Sequence, residues 1–121
     1  MPRRQMIVPS ASSSSSVTTA TATTTDATQT TCGTVTIPSG TRAVEAVVTA
    51  TSGSDVCTWR LLQPFTSDGS TATAMDSIDL PASNSALGWL ATLDASGSTA
   101  RVRVTGALAT SISWRSTITL Y

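Results

Sequence analysis

The feature that most constrains the fold is an alternation of apolar and polar residues with a period of two, which begins near Cys32. Short alternating segments that end at Gly, Pro, Ser or Asp predict β-strands, because successive side chains of a strand point to opposite faces of its sheet. Within each segment the apolar residues share one face. The predicted inward positions are Val35 and Ile37; Val44, Ala46, Val48 and Ala50; Cys57, Trp59 and Leu61; Leu87, Trp89, Ala91 and Leu93; Ala100, Val102 and Val104; and Ile112, Trp114, Ile118 and Leu120.

Turn residues separate these segments about every ten positions, and no segment has the spacing of an amphipathic helix. Six or seven short strands in this arrangement predict an all-β domain over residues 32–121, an antiparallel β-sandwich or small barrel. The three Trp residues follow the apolar parity of their strands, so we expect them in the core.

Three local features refine this prediction. We expect Pro64 to end a strand, since proline cannot donate to a ladder. Asp94 to Gly97 should form a hairpin turn. Residues 65–84 predict at most one irregular strand, with Ile78 and Leu80 as its apolar members.

Residues 1–31 differ from the rest in composition and predict an extended N-terminal arm. From Ser10 to Thr31 the chain is almost entirely Ser, Thr and Ala, and Val17 is the only sizeable apolar residue there. Such a tract cannot build a core of its own. Its threonines favour an extended conformation, which could add a strand to the sheet of another chain or lie on its own domain.

The charge pattern narrows the classes of partner. Seven Arg balance seven acidic residues, Lys and His are absent, and charged residues make up 12% of the chain. A neutral chain gives no electrostatic reason to expect nucleic acid or an anionic membrane as partner. No apolar run is long enough to span a bilayer, and Pro9 interrupts the apolar stretch that a signal peptide requires. We therefore expect synthesis in a cytosol without export.

The chemistry available to the chain argues against an enzyme. Without His and Lys it lacks the commonest general base and the lysine of Schiff-base and phosphate-loop chemistry. Asp68, Asp76 and Asp79 could hold calcium or flank a glycosidic bond, but their spacing fits neither role, and Asp68 occupies an ordinary turn. We expect no catalytic residue, metal or cofactor. Cys32 and Cys57 are either two buried thiols or a single disulfide.

Two groups of residues are candidates for binding a partner. Arg3 and Arg4 at the tip of the arm suit an acidic surface, and the adjacent Met6, Ile7 and Val8 could lie in an apolar groove.

The second group is on the sandwich itself. Arg101, Arg103 and Arg115 occupy outward positions of two strands that we expect to be adjacent. They could face an acidic patch on a protein partner, bind phosphate or nucleic acid, or form part of a solvated or cross-strand-paired face.

A short chain with a Ser/Thr-rich arm at residues 1–31 and a Thr-rich sandwich resembles small virion proteins of tailed bacteriophages. The segments Val44 to Val48 and Ser113 to Ile118 are typical of that style. Head decoration (cement) proteins and neck or tail accessory proteins share this architecture, although no diagnostic motif carries a residue across.

The resemblance implies a virion structural protein that docks its sandwich and arm on neighbouring subunits. The expected partners are other virion subunits, such as the major capsid protein or a neck or tail protein, together with further copies of this chain. One alternative is an adaptor, collar or fibre subunit of the neck or tail. Another is a carbohydrate-binding or adhesin module, which would need Trp on an exposed face.

Overall fold

A computed structural model describes residues 16–76 and 87–121 of the chain. It contains eight strands: β1 (Ser16–Thr24), β2 (Thr30–Thr36), β3 (Gly40–Ser52), β4 (Asp55–Ser67), β5 (Ala72–Ala74), β6 (Leu90–Ser96), β7 (Thr99–Thr105) and β8 (Ile112–Leu120). They form a five-stranded sheet in the order β1-β8-β3-β4-β5 and a three-stranded sheet in the order β2-β7-β6. All pairings are antiparallel, so the fold is the β-sandwich that the alternation predicts.

The predicted inward faces meet between the two sheets and form the core. Val44, Ala46, Val48 and Ala50 are fully buried on β3; the even-numbered residues of β8 lie beside them in the same sheet, and those of β7 line the inner face of the other sheet. Trp114 lies at the centre of this core. Its ring centroid is 5.5 Å from that of Trp59 and 6.3 Å from that of Trp89. Aromatic pairs at these distances add stability beyond the area that they bury.

The second half of the Ser/Thr tract belongs to the sandwich, which differs from our assignment of residues 1–31 to an arm. Residues 16–24 form β1 and pair with β8 of the same chain in register from Ser16↔Leu120 to Thr24↔Ile112. The boundary at residue 31 therefore does not follow the sheets. Ala20 and Ala22 supply a small inward face, and the backbone supplies the hydrogen bonds, so this strand needs no large apolar residues.

A glycine in β2 lets this strand pack closely against β1 of the other sheet. Cys32 and Gly33 together stand opposite Val102, which makes a bulge in the pairing of β2 with β7. A Cβ on Gly33 would lie 3.0 Å from Ala20 Cβ and from Ile118 Cδ1. The buried hydroxyl of Ser116 on β8 donates a hydrogen bond to the backbone oxygen of Cys32. This joint holds β2 against β1 and β8.

Pro64 does not end its strand, so that prediction is wrong. β4 continues to Ser67, and Pro64 pairs with Ala43 of β3. In an antiparallel strand the N–H and C=O of one residue point to the same side, and the Pro64 carbonyl accepts from the Met75 N–H, beyond the end of β5. The proline nitrogen therefore faces the side where no ladder partner is required.

The hairpin between β6 and β7 is also tighter than predicted. β6 continues to Ser96, and the turn consists of Gly97 and Ser98, with a φ of 55° at Gly97. Leu90, which interrupts the apolar alternation, is the first residue of β6 and points outward with 51% of its surface exposed. In the weakly patterned region the short strand β5 is present, while Ile78 and Leu80 lie outside the described residues.

Candidate interaction surface

The outer face of the five-stranded sheet is the broadest regular surface of the described chain. The strand register aligns its outward residues in four rows across β1, β8, β3 and β4. These rows are Val17–Thr119–Glu45–Leu62, Thr19–Thr117–Val47–Arg60, Thr21–Arg115–Thr49–Thr58 and Thr23–Ser113–Thr51–Val56. Nine of the sixteen residues are Thr or Ser, four are aliphatic and three are charged. We call these sixteen residues the hydroxyl face.

Arg115 lies in a shallow depression near one end of the hydroxyl face. The depression has a volume of about 370 Å³, and its lining consists of Thr21, Ala22, Thr23, Thr49, Thr51, Ser113, Trp114 and Arg115. Thr21 and Thr49 flank Arg115 directly on the two neighbouring strands. No described carboxylate lies within ion-pair distance of its guanidinium. A guanidinium flanked by hydroxyls can bind a carboxylate of a partner by donating two parallel hydrogen bonds.

The other charges on the hydroxyl face neutralise each other. Nη2 of Arg60 lies 2.7 Å from Oε2 of Glu45, and the hydroxyl of Tyr121 donates to Oε1 of Glu45 over 2.9 Å. The hydrogen bonds from Arg60 and then Tyr121 lower the pKa of Glu45. The same bond to the carboxylate raises the pKa of Tyr121. Arg42 donates from Nε to the backbone oxygen of Tyr121, which fixes the end of β8 to β3.

Sequence patterns alone do not identify this network. Glu45 and Arg60 are fifteen positions apart, and Tyr121 is seventy-six positions from Glu45. The alternation predicts that these side chains point outward. It does not predict the strand order β8-β3-β4 that brings them together.

The structure separates the three arginines that we expected to form one patch. β7 and β8 lie in different sheets, because residues 106–111 cross from one layer to the other instead of closing a hairpin. Arg101 and Arg103 are on the outer face of the three-stranded sheet, and Arg115 is on the hydroxyl face. The expectation that their strands are adjacent is therefore wrong.

Arg101 and Arg103 share one carboxylate on the neighbouring strand. Nε and Nη2 of Arg101 lie 2.8 Å and 2.9 Å from the two carboxylate oxygens of Asp94, a bidentate pair that raises the pKa of Arg101. Nη1 of Arg103 is 3.7 Å from the same carboxylate, and among the described side chains its buried Nε has no hydrogen-bond partner. Two guanidinium groups against one carboxylate leave one positive charge on this face.

The other candidate groups, Asp68 and the two cysteines, are part of a turn and of the core. The Asp68 carboxylate accepts from the backbone N–H groups of Thr71 and Ser70 over 2.8 Å, and these bonds lower its pKa, as expected for a turn residue. Cys32 and Cys57 are buried thiols on different sheets that form no disulfide, and burial raises the pKa of each. Within residues 16–76 and 87–121 no group of three His, Cys, Asp or Glu is arranged to hold a metal ion.

The three Trp side chains are 1–7% exposed, so the sequence prediction that they belong to the core is confirmed. The Nε1 of Trp114 donates to the hydroxyl of Thr24 over 2.8 Å, which satisfies the indole inside the core. No described helix is long and apolar enough to cross a bilayer. Of the residues predicted to bind a partner, Arg3, Arg4, Met6, Ile7 and Val8 lie outside the described part of the chain, as does Asp79.

Comparison with known proteins gives no match. No protein-family model, no curated protein and no solved structure matches this chain.

Proposed function

We propose that this chain is a non-enzymatic structural subunit of a larger protein assembly, which docks through the hydroxyl face and the N-terminal residues. The observation that carries the proposal is that this broad face combines exposed aliphatic side chains with a single charge, Arg115, that no described ion pair neutralises. Three of its sixteen residues are charged, and Glu45 and Arg60 neutralise each other. Val17, Val47 and Val56 on the same face are 65%, 41% and 47% exposed. The cores of protein interfaces are similarly depleted in charged residues, whereas solvated surfaces are not.

The size of the face fits a contact that needs a second element. Four strands about 4.8 Å apart and four rows about 6.8 Å apart cover roughly 500 Å². A stable interface buries about 800 Å² on each partner. Residues 1–15, which precede β1, can supply the rest by lying across a neighbour. Arg115 then selects a partner that presents a carboxylate to the depression.

More specifically, we propose that the chain is a virion protein of a tailed bacteriophage that decorates or stabilises the particle. It is supported by the resemblance in style, a Ser/Thr-rich N-terminus followed by a Thr-rich sandwich. The partners would be the major capsid protein or a neck or tail protein, and the protein would be made in the host cytoplasm and reside in the virion.

A charge placed in the middle of the hydroxyl face tests the proposal. Val47→Glu is an exposed substitution that should change the free energy of unfolding by less than about 0.5 kcal/mol. It would, however, bury a second carboxylate beside Arg60, which already pairs with Glu45, and so prevent docking. Ser96→Glu, an exposed outward position on the three-stranded sheet, is the matched control.

The measurements are the mass of the native complex and the copy number of the chain in purified particles. We expect Val47→Glu to fold but to be lost from the complex, and Ser96→Glu to assemble normally. A Val47→Glu chain that assembles to the wild-type copy number would refute the role of this face. Deletion of residues 1–15, which leaves β1 intact, should also reduce incorporation.

A further inference from the structure

The two ends of the sandwich differ in charge and in apolar exposure. The end of β1, the turn between β3 and β4, and the loop between β7 and β8 lie together at one end. Ser16 and Tyr121 lie toward the other. Asp26 and Asp55 are exposed at the first end and take part in no described ion pair. We call this the acidic end.

A loop that is fixed by hydrogen bonds exposes an aliphatic side chain at the acidic end. Leu108 is 82% exposed, the highest value among the exposed large apolar residues that the structure describes. Its loop is fixed by two hydrogen bonds from Thr110, one to the Ala107 carbonyl over 3.3 Å and one to the Leu108 carbonyl over 3.0 Å. Ala109 has a φ of 54°, a conformation that costs a non-glycine residue energy and persists only where the surroundings impose it.

The loop that carries Leu108 lies against the loop that carries Asp26. A Cβ on Gly106 would be 2.6 Å from Thr24 Oγ1 and 3.1 Å from the Asp26 carbonyl oxygen, so only glycine allows this approach. Leu90, 51% exposed, begins β6 at the same end, where it pairs with Thr105. The acidic end thus combines two exposed carboxylates that form no described ion pair with two exposed leucines.

The N-terminal residues have the complementary chemistry. Arg3 and Arg4 are two of the seven arginines, so residues 16–121 keep five against seven acidic residues and carry a formal charge of −2. Met6, Ile7 and Val8 follow directly. In an extended peptide Arg3 and Arg4 point to opposite sides. Such a pair can reach the separate carboxylates of Asp26 and Asp55, which are on strand ends three spacings, about 15 Å, apart.

The direction of β1 favours a neighbour over the same chain. β1 runs toward the acidic end, so Ser16, to which residues 1–15 are joined, lies at the opposite end. Ser16 is twelve positions after Arg4, and at about 3.3 Å per position an extended chain spans roughly 40 Å. A straight continuation therefore reaches the acidic end of a copy placed beyond Tyr121, whereas a cis contact would have to reverse and run the length of the sandwich.

We propose that residues 3–8 of one copy bind the acidic end of the next, with Arg3 and Arg4 on Asp26 and Asp55 and with Met6, Ile7 and Val8 against Leu108 and Leu90. This inference rests on the proposed assembly function and names the partner surface of the N-terminal residues. The contact is head to tail, so copies form rings or open stacks according to the rotation between them.

A charge exchange in the full chain tests the contact. One variant carries Arg3→Asp and Arg4→Asp. The other carries Asp26→Asn and Asp55→Arg, in which the Asn keeps the Oδ1 that accepts the Thr28 N–H over 2.9 Å. The matched control carries Asp68→Asn and Asp76→Arg, which make the same charge change and likewise keep the acceptor of the Asp68 turn. Asp76 also adjoins the 47% exposed Met75, so the control examines the rival acidic position.

Sedimentation velocity at low and high salt reports the association of each chain, and circular dichroism reports its fold. We expect each charge variant alone to associate at least about tenfold more weakly than the wild type. An equimolar mixture of the two should regain association, and the control should match the wild type. High salt should weaken wild-type association.

Three results would overturn the inference: a wild-type chain that stays monomeric, a mixture that does not associate, or a control that is as weak as the Asp26/Asp55 variant. If all four exchanged residues in one chain restore only a compact monomer, the contact is made in cis and the head-to-tail arrangement is wrong. If the mixture fails while deletion of residues 1–15 still abolishes incorporation into particles, the proposed function stands and those residues bind a different surface.

Discussion

Replacing Gly33 with Ala tests the joint at which β2 packs on β1 and β8. Gly33 has a φ of 107°, which disfavours any side chain. An added Cβ would lie 3.0 Å from Ala20 Cβ, Ile118 Cδ1 and Ser116 Oγ. Two of these neighbours belong to the buried layer between the sheets, so they have little room to move.

Three contributions give the size of the effect. The left-handed backbone costs an alanine about 1–2 kcal/mol. Overpacking a well-filled site costs about 1–3 kcal/mol. The loss of conformational freedom in the unfolded chain offsets about 0.4–1 kcal/mol. Together these lower the free energy of unfolding by about 1–5 kcal/mol, a sizeable part of the roughly 5–15 kcal/mol available to a domain.

Urea unfolding followed by tryptophan fluorescence measures this change, since all three Trp lie in the core. Gly53→Ala is the control, because Gly53 has a φ of 61° and no atom within 4 Å of an added Cβ. It carries the backbone cost without the packing cost, so we expect it to lower the free energy of unfolding by about 1 kcal/mol. The slope of free energy against urea should be unchanged in both variants.

Equal destabilisation of the Gly33→Ala and Gly53→Ala chains would refute the packing argument. A double variant with Ala20→Gly sharpens the test, because it removes the Cβ that the new methyl group meets on β1. We expect the double variant to be about 0.5–1 kcal/mol more stable than the sum of the two single changes predicts. An absence of coupling would mean that β1 does not pack against β2 of the same chain.

Three further outcomes follow from the buried and paired groups. Thr24→Val leaves the Trp114 indole N–H buried without its acceptor, and urea unfolding should show a loss of about 1–3 kcal/mol. Glu45 has a lowered pKa in the folded state, so its ionised form stabilises the fold at pH values above its unfolded pKa, near 4.3. This stability is lost as the pH falls from there through the folded pKa. The Glu45→Gln variant should therefore show a flatter decline of the unfolding free energy at acid pH. The two buried thiols have raised pKa values and should react with a thiol reagent only after urea is added.

The alternation of residues was enough to predict the sandwich because side-chain period and burial are directly linked in a strand. The inward faces of β3, β7 and β8 all follow the predicted parity. Boundaries were less predictable, since they depend on neighbours. Pro64 stays within β4 only because β5 is too short to require its N–H, and nothing in the local sequence records the length of β5.

The candidate surface was harder to predict, because strand order is a long-range property. Arg103 and Arg115 are twelve positions apart and both face outward, yet a six-residue connection puts them on opposite layers. A hairpin turn of two residues would have kept them together. The length of that connection was the available signal that β7 and β8 do not pair.

β1 shows why composition misled where periodicity would not have. A Ser/Thr tract cannot nucleate a core, and that argument holds for residues 16–24 as an isolated peptide. It does not hold beside an existing edge, since β8 offers unpaired backbone groups, and burying those groups under β2 requires a partner strand. Thr19, Ala20, Thr21, Ala22 and Thr23 alternate with a period of two, so the small residues face the core and the hydroxyls face out. The tract therefore completes the sheet, and a truncation meant to remove only the N-terminal extension must stop before Ser16.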